Sequence, residues 1–368
     1  MADPKLTEGT LYINRDRDFR TGQLGPYVKL GIVRGEREAT DRNLEHQTGN
    51  PREVITVHEL FSPMVEHLET QLHHRFARFW VHGEWFEMDN EFVKKEVLPV
   101  AERIIEQQKE SVEDFEAKLV QKAMISTDVI REATDEEKEV AMKCFAAREE
   151  LVKSKALKDF IDYQIRTMIE DDDGIEGIVN LTYKKGSTSF DKKKFLDENK
   201  ELASQYFEER EDKLSGSIIL TKGKLLKDMN EKAEEKIKEL KKQIPKFSWQ
   251  SKDRSAKSRD DSSLLLHAVF VGSMKAVAEA EWEYERQKAR LVKMLGEDKG
   301  IEEVITYNRV MKAQEPAFNS GKFKEENQEL YDSYLKEGKE SVAVSILSYR
   351  AYSPIDVNFS KYSKTIYD

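Results

Sequence analysis

The sequence predicts a two-part chain: an α+β N-terminal domain, built as a three-stranded antiparallel sheet with flanking helices, followed by a mainly α-helical C-terminal region. Three observations carry this expectation. Most runs dense in β-branched and aromatic residues fall before residue 62 (TLYIN at 10–14, YVKLGIV at 27–33, EVITVHEL at 53–60). Across the whole 368 residues, 36% are Asp, Glu, Lys or Arg while Gly and Pro number only 17 and 8, a balance suited to long solvated helices. Composition also shifts near residue 90. Six of the seven histidines lie between positions 46 and 82, and Arg dominates up to that boundary, whereas Lys dominates after it.

In chain order, 10–14 and 27–33 read as two antiparallel strands joined by a charged, Gly-containing loop. Residues 40–47 are helix-compatible and are stopped by Thr48-Gly49-Asn50-Pro51. The alternation of 53–60 gives the third strand. From Ser62 a helix starts with Pro63 in its first turn, and Leu68, Leu72 and Phe76 repeat every fourth residue along one face, with Glu69 and His73 on another. Gly83-Glu84-Trp85-Phe86 closes the unit with an aromatic pair expected to pack on the sheet. Beyond Asn90, amphipathic helices are expected near 91–124, 135–171, 191–214, 222–243, 273–295, 300–313 and 322–337, with short strands near 176–183 and 341–352. The segment 248–263 has linker composition. No internal repeat stands out. The expected division is therefore 1–90, a helical region 91–247, a linker 248–263 and a mainly helical 264–368.

Bulk chemistry narrows the function. A net charge of -10 argues against a protein that coats nucleic acid along its whole surface, so any such contact needs a local patch. The single cysteine, Cys144, excludes an internal disulfide and reads as a small buried hydrophobe. With no run of ~20 apolar residues and a polar start at 1–9, a cytoplasmic protein without a membrane partner is expected.

Two pairs of side chains have the spacing for chemistry. Glu69 and His73, four apart on one helix, put a carboxylate and an imidazole on one face, near enough to share a divalent ion or a water. Arg42 and His46 repeat that spacing on an earlier helix and can converge on one anion. Tyr12 and Lys29 on the strands complete the set.

At these residues the sequence resembles a known family. TLYIN at 10–14, YVKLG at 27–31, DRNLEHQTGNP at 41–51, LETQLHHRF at 68–76 and GEWF at 83–86 together look like the GIY-YIG nuclease superfamily, in the branch first noted in phage reading frames and in a meiotically up-regulated fungal gene. The resemblance covers about residues 9–90. It implies that Tyr12 lies beside the attacking water, that Lys29 stands where the second motif's tyrosine falls, that Arg42 with His46 faces the phosphate, and that Glu69 binds the metal with His73 beside it. The superfamily's closing asparagine has no secure match, Asn90 being the nearest.

The implied activity is a magnesium- or manganese-dependent endonuclease on DNA, with RNA left open. Glu69 would hold the ion as Lewis acid, and Arg42 would neutralise a non-bridging oxygen. Tyr12 or His46 would serve as base, with Lys29 lowering the phenol's pKa or touching phosphate itself. A second patch is the basic stretch 221–259, where Lys241, Lys242, Arg254 and Arg259 could touch a nucleic-acid backbone. The helices are expected to supply targeting, a homo-oligomer or a partner-protein contact, in a phage or anti-phage setting by resemblance only. The competing expectation is a non-catalytic nucleic-acid-binding or scaffold protein that uses the N-terminal domain for docking.

Overall fold

The structure is a computed structural model describing residues 4–35, 47, 51–220, 223–247 and 255–348, with side chains omitted for 223–230. Its N-terminal part is built on β1 (Gly9–Arg17), β2 (Leu24–Arg34) and β3 (Glu53–Ser62), with β1 in the middle and both pairings antiparallel. The sheet then gains two strands that the sequence reading did not count, β4 (Trp80–His82) and β5 (Trp85–Glu87), to give the order β3-β1-β2-β5-β4. Gly83 explains the difference: its φ of 55° makes the tight turn of a hairpin, so GEWF enters the sheet edge instead of lying on its face. Phe86 then sits opposite Val28, fully buried.

Helix α1 (Val65–Arg75) covers one face of this sheet, burying Val65, Leu68 and Leu72 against Leu11, Ile13, Val28 and Leu30. After it, Asp89 caps a short turn at Asn90–Phe92, and a π-turn at Val93–Val97 runs into α2 (Leu98–Lys122). Val93, Val97, Ala101, Ile104 and Ile105 belong to the same core as β1 and β2. The composition boundary near residue 90 is thus not a packing boundary.

The remainder is helical in its middle, as expected, but its C-terminal region also holds strands. It contains an internal duplication that the sequence reading missed. The first unit runs α2, β6 (Ile130–Arg131), α3 (Asp135–Thr167), β7 (Gly174–Ile175), β8 (Val179–Lys184), β9 (Ser189–Phe190), α4 (Lys192–Glu198), α5 (Lys200–Ser204), β10 (Phe207–Glu208) and β11 (Lys213–Leu220). The second runs α6 (Gly223–Gln243), α7 (Asp261–Leu295), β12 (Gly300–Ile301), β13 (Ile305–Lys312), β14 (Ala317–Phe318), α8 (Ser320–Glu326), α9 (Gln328–Ser333), β15 (Leu335–Lys336) and β16 (Ser341–Ile346). Where the second unit would place its counterpart of β6, Lys257 makes a parallel bridge to Ile175, as Arg131 pairs with Ile301. The expected helices at 191–214 and 300–313 are therefore strands and short helices.

The two units exchange strands. β11 pairs with β13 and β16 with β8, while β10 pairs with β14 and β15 with β9. Long helices cross in the same reciprocal way: α3 packs on α7, α2 on α7 and α6 on α3. At the far end, Phe190, Phe195, Phe318, Phe323, Tyr206 and Tyr334 form one aromatic core. Asn199 Nδ2 donates to Tyr334 Oη (2.7 Å) and Asn327 Nδ2 to Tyr206 Oη (2.6 Å), the same bond made twice. The expected linker 248–263 divides elements that share sheets. Its described end is held, with Asp260 capping α7 through Ser263 and Lys257 N donating to Gly174 O. Helix α7 is apolar enough by composition to cross a membrane, yet its apolar face is occupied by α3, α2 and α1, as expected of a central core helix. Cys144 is buried beside Leu291, Val292 and Ile305, and burial pushes its thiol up to about 12.

Candidate functional site

Alternation along β1 and β2 sorts their side chains into two faces. Leu11 and Ile13 turn toward α1. Tyr12 and Asn14 turn the other way, with Gly31 opposite Tyr12 and Lys29 opposite Asn14. All are buried except for traces of Lys29. Gly31 is required here: a Cβ on it would run into the Tyr12 hydroxyl and ring. Asn14 Oδ1 accepts a hydrogen bond from Thr56 Oγ1 on β3 (2.8 Å).

Lys29 reaches the β4–β5 turn, where its Nζ lies 3.1 Å from Glu84 Oε2. The backbone repeats the contact, since Leu30 N donates to Glu84 O at 3.1 Å. One residue along, the Leu30 carbonyl lies 3.0 Å from His73 Nε2, and the His73 ring packs 5.2 Å from that of Phe86. Burial holds the His73 pKa below its ordinary value, with the Leu30 hydrogen bond and Glu84 opposing. The imidazole is therefore neutral and has one nitrogen committed to β2.

Glu69 stands one turn before His73 on α1. Its carboxyl is pushed up to about 7, chiefly by burial and next by the charge of Glu84, with Glu66 adding and Arg34 and Lys29 opposing. Arg34 is drawn aside by Glu66, which it meets at 2.6 Å while Lys5 meets the same carboxylate at 2.9 Å. The opposite side of α1 is clamped to the duplicated body. His67 packs against Trp282 at 4.1 Å between ring centroids with the rings tilted by 37°, Gln71 Nε2 donates to Ala278 O, and Arg75 pairs with Glu279 at 3.3 Å. Burial drives His67 down to about 3, so it is a neutral interface residue. The helix that carries Glu69 is fixed from both sides.

The structure thus brings Tyr12 and Lys29 to one sheet face, and Glu69 within electrostatic range of Lys29 and Glu84. Arg42, His46 and Arg254 lie outside the described residues. Lys241 and Lys242 lie on α6 of the duplicated body, Lys241 over the Tyr163 ring (4.8 Å) and Lys242 paired with Glu239 (3.3 Å). Arg259 is exposed beside the α7 cap. Sequence reasoning gave no role to Glu84, although GEWF contained the signal: an acid beside a turn glycine, next to two aromatics. Among the described residues, no group of three or more His, Cys, Asp or Glu could hold a metal by itself. A hard divalent ion held by one carboxylate, substrate oxygens and water needs no such group.

Residues 9–105 match the family model described as the T5orf172 domain, a GIY-YIG-like, nuclease-associated family. The match extends past the sheet into the first turns of α2, as the shared core requires. It covers about a quarter of the chain, and the duplicated body lies almost wholly outside it. No curated protein and no solved structure matches the chain.

Proposed function

We propose that the N-terminal domain hydrolyses phosphodiester bonds in nucleic acid, DNA in the first instance, with Glu69 as the carboxylate that holds magnesium or manganese. The observation that carries this reading is the state of Glu69. It is a half-buried carboxyl whose anion is disfavoured by burial and by Glu84, within electrostatic range of Lys29, in a domain matched to a nuclease-associated family. Such a group fits a hard cation, which would relieve both penalties at once. The ion, when bound, supplies Lewis-acid stabilisation of the leaving oxygen.

The chain's own residues do the rest. Lys29 offers a fixed ammonium to a non-bridging phosphate oxygen, since its stem is buried and its head is held by Glu84. Tyr12 Oη, packed over Gly31, is the candidate to orient or deprotonate the attacking water. Arg42 and His46 belong to the proposal through the motif that contains them. His73, tied to Leu30 O, fits the task of fixing α1 against β2 so that Glu69 keeps its place, and leaves Nδ1 for any further role. Lys241, Lys242, Arg254 and Arg259 remain candidates for backbone contacts with a long substrate.

The test is cleavage of plasmid and linear DNA with magnesium, manganese or EDTA, comparing wild type with Glu69→Ala. Metal-dependent cutting that the substitution abolishes is the expected result. Absence of cutting by the wild type, or equal cutting by the variant, sinks the proposal and favours a docking module.

A further inference from the structure

We infer that Glu84 is a positioning residue that acts through Lys29, holding the ammonium where it can meet the substrate phosphate. This rests on the nuclease reading above and deepens it. The Lys29–Glu84 pair is asymmetric. The lysine side chain is 9% exposed and the glutamate 44%, so the buried cation meets a carboxylate that arrives from the solvent side. A long, four-carbon stem otherwise has several rotamers, and an ammonium in a nearly dry place is poorly solvated.

Glu84 is itself placed by backbone, not by chance of rotamer. Its carbonyl accepts from Leu30 N at 3.1 Å, and the next residue, Trp85, pairs with Lys29 in register. The preceding Gly83 turns at φ 55° and its carbonyl accepts from Trp80 Nε1 at 2.6 Å. The hairpin is thereby locked on both sides of the carboxylate. Glu84 also disfavours the Glu69 carboxylate, so the same side chain acts on both the cation and the candidate metal ligand. The other charges that act on Glu69, besides Lys29, come from Arg34 on β2 and Glu66 on α1, which are paired with each other. Glu84 needs no contact with substrate to do this.

The experiment is a cycle of four proteins: wild type, Glu84→Gln, Lys29→Met and the double variant, assayed for magnesium-dependent DNA cleavage with kcat and KM separated. Glu84→Gln is expected to lower kcat by about 100-fold, the scale of a misplaced catalytic group, without raising KM. In the Lys29→Met background the same change is expected to alter kcat by no more than about twofold, since its target is gone. A residue needed only for folding would depress both backgrounds alike. Glu84→Asp, which keeps the charge but is one methylene shorter, is expected to fall between Gln and wild type, and it carries the test if Glu84→Gln does not fold. Full loss in both backgrounds, or wild-type activity in Glu84→Gln, overturns the positioning role while leaving the nuclease reading intact. No cleavage by the wild type overturns both.

Discussion

At the scale of single residues, Glu69 is the most informative side chain because its ordinary charge state is the unfavourable one. Its folded pKa of about 7 lies above the unfolded carboxylate value, so the native state binds the extra proton between roughly pH 4.5 and 7. Stability linked to this group is therefore present at low pH and lost as pH rises through 7. In metal-free protein, the thermal midpoint of Glu69→Gln is expected to fall less than that of wild type between pH 5 and 8. Added magnesium should restore the wild type at pH 8 and leave the variant unmoved. If the two proteins follow the same pH curve, Glu69 does not have the environment described. Gly31 offers a second residue-scale expectation. Gly31→Ala should cost about 1–3 kcal/mol in chemical denaturation, as overpacking does, and should lower cleavage further by displacing Tyr12.

At the scale of elements, α1 matters most, because it faces the sheet with Leu68 and Leu72 and faces α7 with His67, Gln71 and Arg75. Trp282 anchors that second contact: it packs against His67, stacks with Phe115 and donates from Nε1 to Gln107 Oε1 at 2.9 Å. Trp282→Ala is expected to cost about 3–5 kcal/mol, the range for a large buried aromatic. It should also increase hydrogen exchange in 65–75, which a loss confined to α7 would not do. The aromatic far end gives an internal control. Tyr206 Oη meets Glu326 (2.9 Å) as Tyr334 Oη meets Glu198 (2.8 Å). Tyr206→Phe and Tyr334→Phe should therefore destabilise by similar amounts, about 1–3 kcal/mol each, since both leave equivalent polar partners behind. A large difference between the two would count against equivalence of the units.

At the scale of the whole molecule, strand exchange makes residues 98–348 one cooperative body. Neither unit supplies both partners of β8–β16 or β11–β13, so each half alone would expose unpaired strand edges. Co-expressed fragments 1–222 and 223–368 are expected to copurify as a stable complex, while either alone should aggregate or remain unfolded by circular dichroism. Independent folding of 223–368 would contradict this. The body also presses on the back of α1, so the N-terminal domain and the duplication share an interface built from His67, Trp282 and Gln108, which donates to Met64 O (3.1 Å).

What the sequence alone determined is local. Period-two alternation in 10–14, 27–33 and 53–60 specifies strands whose faces must split, and the repeat of Leu68, Leu72 and Phe76 specifies the helix laid on them, because these patterns depend only on neighbours along the chain. The order of Tyr12, Lys29 and Glu69 was legible for the same reason. The pairings that join distant segments were not. Hairpin β4–β5 depends on a single glycine conformation, and strands as short as β7 or β15 have too few residues to display a period. The duplication was legible and passed over: Lys194-Phe195, Glu198-Asn199, Glu201-Leu202 and Tyr206 recur as Lys322-Phe323, Glu326-Asn327, Glu329-Leu330 and Tyr334, and Gly174-Ile175-Glu176 recurs as Gly300-Ile301-Glu302. Only the tertiary structure decided that Glu84 meets Lys29, that Glu69 is held half-buried within electrostatic range of them, and that the long helices cross reciprocally. Burial and charge proximity are properties of the packed chain, and no pattern of adjacent residues encodes them.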